Sequence, residues 1–243
     1  MSCFTDVSFP VTVSASVVRA CSECSNACIL RKTVAFAQLD DQDFTRIHRF
    51  IERQEFAKGD VLYSEGRVAK GIIVLRGGMV KLVRNTRDGR ERIVRVLRSC
   101  DITGLEALAT AQYDSDAVAL TAVTVCRIPL DTIKDLLVNN PHFLGELMKK
   151  WQQALKDAGD WLTELNSGTA RQRISHLIIK MCDPDNSEIS TLLSLEDMGS
   201  MVDLKIETVS REVSRLVRIG ALAPVDKHRR IFRICKPKQF ECY

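Results

Sequence analysis

No stretch of the chain approaches the ~18 consecutive apolar residues that a helix needs to cross a bilayer. The opening residues, MSCFTDVSFPVTVSASVVRAC, lack a basic segment followed by an unbroken apolar one. No secretory signal is therefore expected, and the sequence reads as a cytoplasmic protein with no membrane partner. Histidine is scarce, and His48, His142, His176 and His228 share no ligand-type spacing. Phosphate loop, G-x-S-x-G elbow and Cys–His constellation are all missing, so nothing points to an enzyme. Internal repeats and low-complexity tracts are missing too. What is present is 243 residues, 45% hydrophobic and 27% charged, a profile that excludes a disordered or collagen-like chain. At about 100 to 200 residues per domain, that length fits two domains or one large domain with an appendage.

Nine cysteines is an odd count, and without an export signal they are expected as free thiols or metal ligands rather than disulfides. Cys21, Cys24 and Cys28 crowd together as C-x2-C-x3-C, while Cys3, Cys100, Cys126, Cys182, Cys235 and Cys242 stand alone. Thiolates so close on one arm can wrap a single metal centre, but they need a fourth ligand. Four thiolates suit tetrahedral zinc as well as an iron–sulfur centre, and the same residues suit a thiol–disulfide switch. Taken alone, Cys126 is a buried strand cysteine.

The net charge of +4 is only mildly basic and does not announce a nucleic-acid partner. Its location says more. From Lys205 to Lys238 ten basic residues (Lys205, Arg211, Arg215, Arg218, Lys227, Arg229, Arg230, Arg233, Lys236, Lys238) face three acidic ones (Glu207, Glu212, Asp226).

Along the chain, DDQDFTRIHRFI offers an Asp cap and apolar Phe44, Ile47, Phe50 and Ile51 at helical spacing. From Glu55 to about Pro129 short β-rich runs (DVLY, GIIVLRG, MVKLVR, RIVRVL, AVALTAVTVCRI) alternate with glycines, the pattern of an antiparallel barrel or sandwich. RDGR at 87–90 carries the Asp-Gly pair of a tight hairpin. Beyond Leu130 the period becomes helical. Leu147, Trp151, Ala154, Ala158, Trp161 and Leu165 follow steps of four and three, the pattern of a coiled-coil seam that interdigitates with a partner helix, the alternative being a helix that lies on its own β domain. SGTA at 167–170 reads as a hinge.

The last 75 residues predict helices at ARQRISHLIIKMC, LSLEDMGSMV and KIETVSREVSRLVRIGAL, then a basic hairpin, APVDKHRRIFRIC. That is a helix-turn-helix followed by a wing. Met198, Val202, Val209, Val213 and Leu216 can join its two helices. Glu207, Ser210, Arg211 and Ser214 share another face, the one a major groove would see. Arg can donate two hydrogen bonds to guanine, Glu can accept from cytosine, and Ser suits base or phosphate. Lys205 and the wing residues Lys227, Arg229 and Arg230 suit phosphates, which position without specifying sequence.

LEDMGSMVDLKIETVSREVSRLVRIGAL closely resembles the winged helix-turn-helix of the Crp/Fnr family of bacterial transcription regulators, and E-T-V-S-R at 207–211 matches the E-x-x-S-R pattern of its Fnr branch. The resemblance extends over nearly the whole chain. It implies an α+β fold: a cysteine-bearing arm at 1–32, a cyclic-nucleotide-binding-type β-roll at 33–140, a long dimerisation helix at 141–168 and a winged helix-turn-helix at 169–243. It further implies a homodimer on double-stranded DNA, with Glu207, Ser210 and Arg211 reading TTGA-type half-sites of a palindromic operator, and RNA polymerase as a partner. Asp203 stands where relatives often carry Gly; Asp tolerates the left-handed turn better than most residues.

Nucleotide-binding relatives carry G-E-L and then Arg-Ser or Arg-Thr around the cyclic phosphate. Here GLEALATAQYDSDAVAL displaces Glu106 and puts Asp114, Ser115 and Asp116 near the expected Arg, which argues against a cyclic nucleotide. Fnr-type oxygen sensors use an N-terminal cysteine trio plus a strand cysteine just before Ile-Pro, and Cys126 in TVCRIP matches that strand position. By resemblance, Cys21, Cys24, Cys28 and Cys126 would bind a [4Fe-4S] cluster. The family's usual trio has five residues between its second and third cysteines where this chain has three, which leaves cluster type and metal open. The alternatives are a zinc or thiol–disulfide switch on the same residues, or cysteines that take no part in sensing.

Overall fold

Short apolar runs broken by glycine form strands, and they do so from Glu52 to Pro129 in the computed structural model of the chain, which describes residues 19–20, 28–86, 91–183, 186–226 and 230–240. Two units result, one of Met1–Arg84 with Val96–Lys150 and the other of Asn85–Arg95 with Trp151–Tyr243.

The chain runs β1 (Arg19–Ala20), α1 (Ile29–Lys32), α2 (Val34–Ala37), α3 (Asp41–His48), β2 (Glu52–Phe56), β3 (Val61–Tyr63), β4 (Gly71–Gly77), β5 (Val80–Asn85), β6 (Glu91–Leu97), β7 (Ile102–Thr103), α4 (Ala107–Thr110), β8 (Asp116–Ala119), β9 (Val123–Pro129) and α5 (Leu130–Asn139). The strands form one sheet in the order β1-β2-β9-β4-β7 and a second in the order β3-β8-β5-β6. Asp40 caps α3 by accepting the Asp43 amide at 2.7 Å, and Phe44 and Ile47 turn inward as their spacing predicts. The run AVALTAVTVCRI breaks into β8 and β9, and in the turn between them Thr121 Oγ1 accepts the Met79 amide at 3.0 Å. Gly78, in the facing turn between β4 and β5, must be glycine: at φ +86 a Cβ would lie 2.3 Å from the Ala122 carbonyl oxygen. Ile72, Ile73, Val74, Leu75, Val125 and Ile128 fill the core from the central strands β4 and β9. The RDGR hairpin tip lies outside the described residues.

Helix α6 (Pro141–Asn166) passes from the first unit into the second. Its start is anchored where the Phe36 and Phe143 rings meet at 5.3 Å. Gly168, at φ +85, ends the run, and Thr169 and Gln172 form a capping box that starts α7 (Ala170–Lys180). The second unit continues with β10 (Cys182–Asp183), β11 (Asn186–Thr191), α8 (Leu195–Val202), α9 (Ile206–Arg218), β12 (Leu222–Pro224) and β13 (Ile231–Ile234), whose strands pair antiparallel in the order β10-β11-β13-β12. The architecture is thus α+β, with N-terminal sheets, one long helix and a C-terminal helix-turn-helix beside a small sheet.

Candidate DNA-reading face and thiol site

Ser194 starts α8 by accepting the Asp197 amide at 3.0 Å, and Asp203 ends it in the left-handed conformation, φ 51 and ψ 52. The turn to α9 is tight. A Cβ on Gly199 would sit 2.7 Å from the Leu204 carbonyl oxygen, so only glycine lets α8 and the turn approach. Met198, Met201, Val202, Val209 and Leu216 are buried, and Val213 is half-buried. Arg173 on α7 donates to the Val202 carbonyl at 2.9 Å, tying down the C-terminal end of α8; no sequence pattern marked that residue.

The opposite face of α9 is open. Lys205, Glu207, Arg211 and Ser214 are exposed and Ser210 is half-buried. Arg215 pairs with Glu212 at 2.8 Å, whereas Glu207 and Arg211 form no ion pair among the described residues. The helix therefore presents an arginine, a carboxylate and hydroxyls that its own chain leaves available for hydrogen bonds. Arg230 is exposed on the wing, and Lys227 and Arg229 lie outside the described residues.

Helix α6 carries its apolar residues on two faces, and here the expected seam needs correction. Leu147 and Leu165 are buried within their own chain, at 3% and 1% exposure. The stripe left open is Leu144, Met148, Trp151 and Leu155, continuing at half-buried Ala158, again in steps of four and three. It shares Trp151 and Ala158 with the expected seam but is turned about the helix axis, because Phe143 and Leu147 are used by the core beneath.

Cys126 on β9 is wholly buried, and Arg76 Nη1 donates to its Sγ at 3.9 Å. Cys28 is 3% exposed and belongs to the same apolar cluster. Cys21 and Cys24 lie outside the described residues. The chain entering them is fixed, however: Arg19 pairs with Arg53 on β2, and Arg53 pairs in turn with Cys126. At about 4.8 Å per strand, Arg19 stands roughly 10 Å from Cys126, Cα to Cα. Arg53 has a buried Nε with no partner, and burial followed by the Arg76 charge holds the His48 pKa below its ordinary value. Arg76 thus puts a cation beside the Cys126 thiol, while Arg53 across the strand pair has its own ion pair, to Glu55 at 3.2 Å. Among the described residues no three His, Cys, Asp or Glu groups gather as a metal site.

The sheets enclose a second polar group. The Tyr63 and Tyr113 rings stack at 3.9 Å, Tyr63 Oη and Thr103 Oγ1 share a hydrogen bond of 2.5 Å, and Tyr113 donates to the Gly71 carbonyl at 2.8 Å. Burial raises the Tyr63 and Glu106 pKa values. Asp116 accepts the Glu65 amide at 2.8 Å. With Asp114 and Asp116 flanking Ser115, the stretch offers a phosphate charge of its own sign.

Comparison with known proteins matches residues 53–140 to the cyclic nucleotide-binding domain and residues 172–243 to the Crp-like helix-turn-helix domain. The chain is 26% identical over 215 residues to the fumarate nitrate reduction regulatory protein of Klebsiella oxytoca, covering 86% of this chain and 84% of that one. The Escherichia coli K12 fumarate and nitrate reduction regulatory protein matches with the same identity and coverage. Among solved structures, FixK2 from Bradyrhizobium japonicum superposes with a TM-score of 0.70 at 21% identity, covering 77% of this chain and 94% of that one. A CRP-family transcriptional regulator from Thermus thermophilus gives 0.64 at 22%, again over 77% and 94%.

Proposed function

Because the chain belongs to the Crp/Fnr family of DNA-binding transcription regulators, we propose that it works as a homodimer that reads TTGA-type palindromic half-sites and responds to oxygen or a related redox signal through a [4Fe-4S] cluster on Cys21, Cys24, Cys28 and Cys126. The observation that carries the sensing half is the bracketing of the C-x2-C-x3-C segment. Ala20, one peptide before it, is anchored on the sheet two strands from β9, and Cys28 at its end enters the core that also holds Cys126.

The donor set fits such a group. Thiolate ligation brings negative charge into an apolar core, and Arg76 beside Cys126 offsets it. When bound, the cluster supplies oxygen lability. The relatives named for fumarate and nitrate reduction support a redox signal of this kind.

The chain's own residues perform the reading. Arg211 and Glu207 address base edges, Ser210 and Ser214 base or phosphate, and Lys205 the backbone. The open stripe from Leu144 to Leu155 packs against the same stripe of a second copy, which spaces two recognition helices about 34 Å apart, one turn of DNA. RNA polymerase is the further partner of a regulator bound at a promoter.

Arg211→Ala tests the DNA half. Losing a bidentate guanine contact costs about 1 to 3 kcal/mol, so affinity for a TTGA palindrome should fall roughly 5- to 150-fold in a gel-shift or anisotropy titration, with random DNA little changed. Equal weakening on both DNAs would reduce Arg211 to a phosphate contact.

A further inference from the structure

Strand β6 is the edge of its sheet, with β5 as its sole neighbour among the described residues. Every second residue therefore turns its backbone N–H and C=O away from β5, where they need another partner. Ser200 on α8 meets two of them. Its Oγ donates to the Glu91 carbonyl at 2.9 Å and accepts the Ile93 amide at 3.3 Å. A hydroxyl is the smallest side-chain group that gives one hydrogen bond and takes another, so Ser200 stands in for the missing strand. Arg92, between them, donates to Asn166 at the end of α6 at 2.8 Å. Three consecutive residues of one strand thus tie the end of the long helix and the first helix of the helix-turn-helix, all within the second unit. Val96 and Leu97, which continue the same strand, belong to the first unit.

The space beside this contact is open. A cavity of about 600 Å³ lies there, lined by Gly199, Ser200, Asp203, Leu204 and Lys205 along the turn that leads into α9. Without the Ser200 hydroxyl, α8 has room to shift, and α9 packs on α8, with Val209 approaching Gly199 and both Val202 and Val209 buried.

We propose that Ser200 is a positioning residue for DNA reading: its hydroxyl pins α8, and with it the recognition helix α9, to the outer edge of β6. It rests on the DNA-reading function proposed above and touches no base itself.

Ser200→Ala, Ser200→Thr and wild type are compared in full-length protein by amide hydrogen exchange at Ile93 and by affinity for a TTGA palindrome and for random duplex. S200A should speed Ile93 exchange and raise the palindrome Kd by about five- to tenfold, the scale of one or two hydrogen bonds, with random duplex changed less than about twofold. S200T, which keeps the hydroxyl, should restore both. An Ile93 amide that exchanges alike in wild type and S200A, or an S200T protein as impaired as S200A, overturns the pin. Wild type without preference for the palindrome instead overturns the DNA reading on which the pin's role depends, and the exchange result, which needs no DNA, tells the two failures apart.

Discussion

Leu155→Glu should leave the protein monomeric at concentrations where wild type is dimeric, and should weaken operator binding by about 100-fold or more. Leu155 is 72% exposed in its own chain and is the most exposed residue of the open stripe on α6. Burying a leucine side chain is worth roughly 1.5 to 3 kcal/mol, and a twofold dimer loses two of them. The substitution also brings two carboxylates together at the seam. About 3 to 6 kcal/mol is on the order of a 10²- to 10⁴-fold change in association, and a monomer holds only one half-site at a time. Sedimentation of the free protein and a titration with palindromic DNA measure the two effects separately. Leu147→Glu is the contrasting variant: Leu147 is 3% exposed in the core, so its replacement should lower thermal stability before it touches association. A Leu155→Glu protein that stays dimeric would move the interface off this face of α6.

Cys126→Ser should abolish the visible absorption of anaerobically isolated protein and drop its operator affinity to that of oxygen-treated wild type. Serine is nearly the same shape, yet its hydroxyl is a poor substitute for a thiolate in holding iron and sulfide. Cys126 is wholly buried, so a hydroxyl there also costs about 1 to 3 kcal/mol of fold stability, and thermal unfolding of the apo-protein separates that loss from loss of the cluster. Cys182→Ser is the control. Its sulfur contacts the Ile178 carbonyl within the helix-turn-helix unit at 3.5 Å, and its replacement should leave absorption and oxygen response unchanged. If Cys126→Ser retained full colour, the strand thiol would not be a ligand.

Local chemistry was readable and long-range pairing was not. The Asp40 cap, the left-handed Asp203 and the amphipathic split of α9 follow from residues within one or two turns of each other, whereas the capping box of Thr169 and Gln172 lies in the segment expected as a hinge. The outward face of α9 was legible because Val209 and Leu216 mark the inward one by helical spacing. On α6 the same rule fails, since Leu147 and Leu165 supply an apolar face for the chain's own core and Leu144 to Leu155 supply another. Two apolar faces satisfy one heptad rule, and only burial by the neighbouring elements distinguishes them. The contacts of Arg76 with Cys126 and of Ser200 with Glu91 join positions 50 and 109 residues apart, and a lone Arg or Ser carries no sign of its distant partner. The pairing of Arg19 with Arg53 was equally invisible, for two residues are too few to show a strand period.

The most direct measurement is iron and acid-labile sulfide per chain in protein purified without oxygen, with operator affinity taken before and after exposure to air. Brown protein is expected, holding about four irons and four sulfides, binding the palindrome tightly and losing both colour and affinity in air. Colourless, metal-free protein with the same operator affinity in either atmosphere would contradict sensing through a cluster.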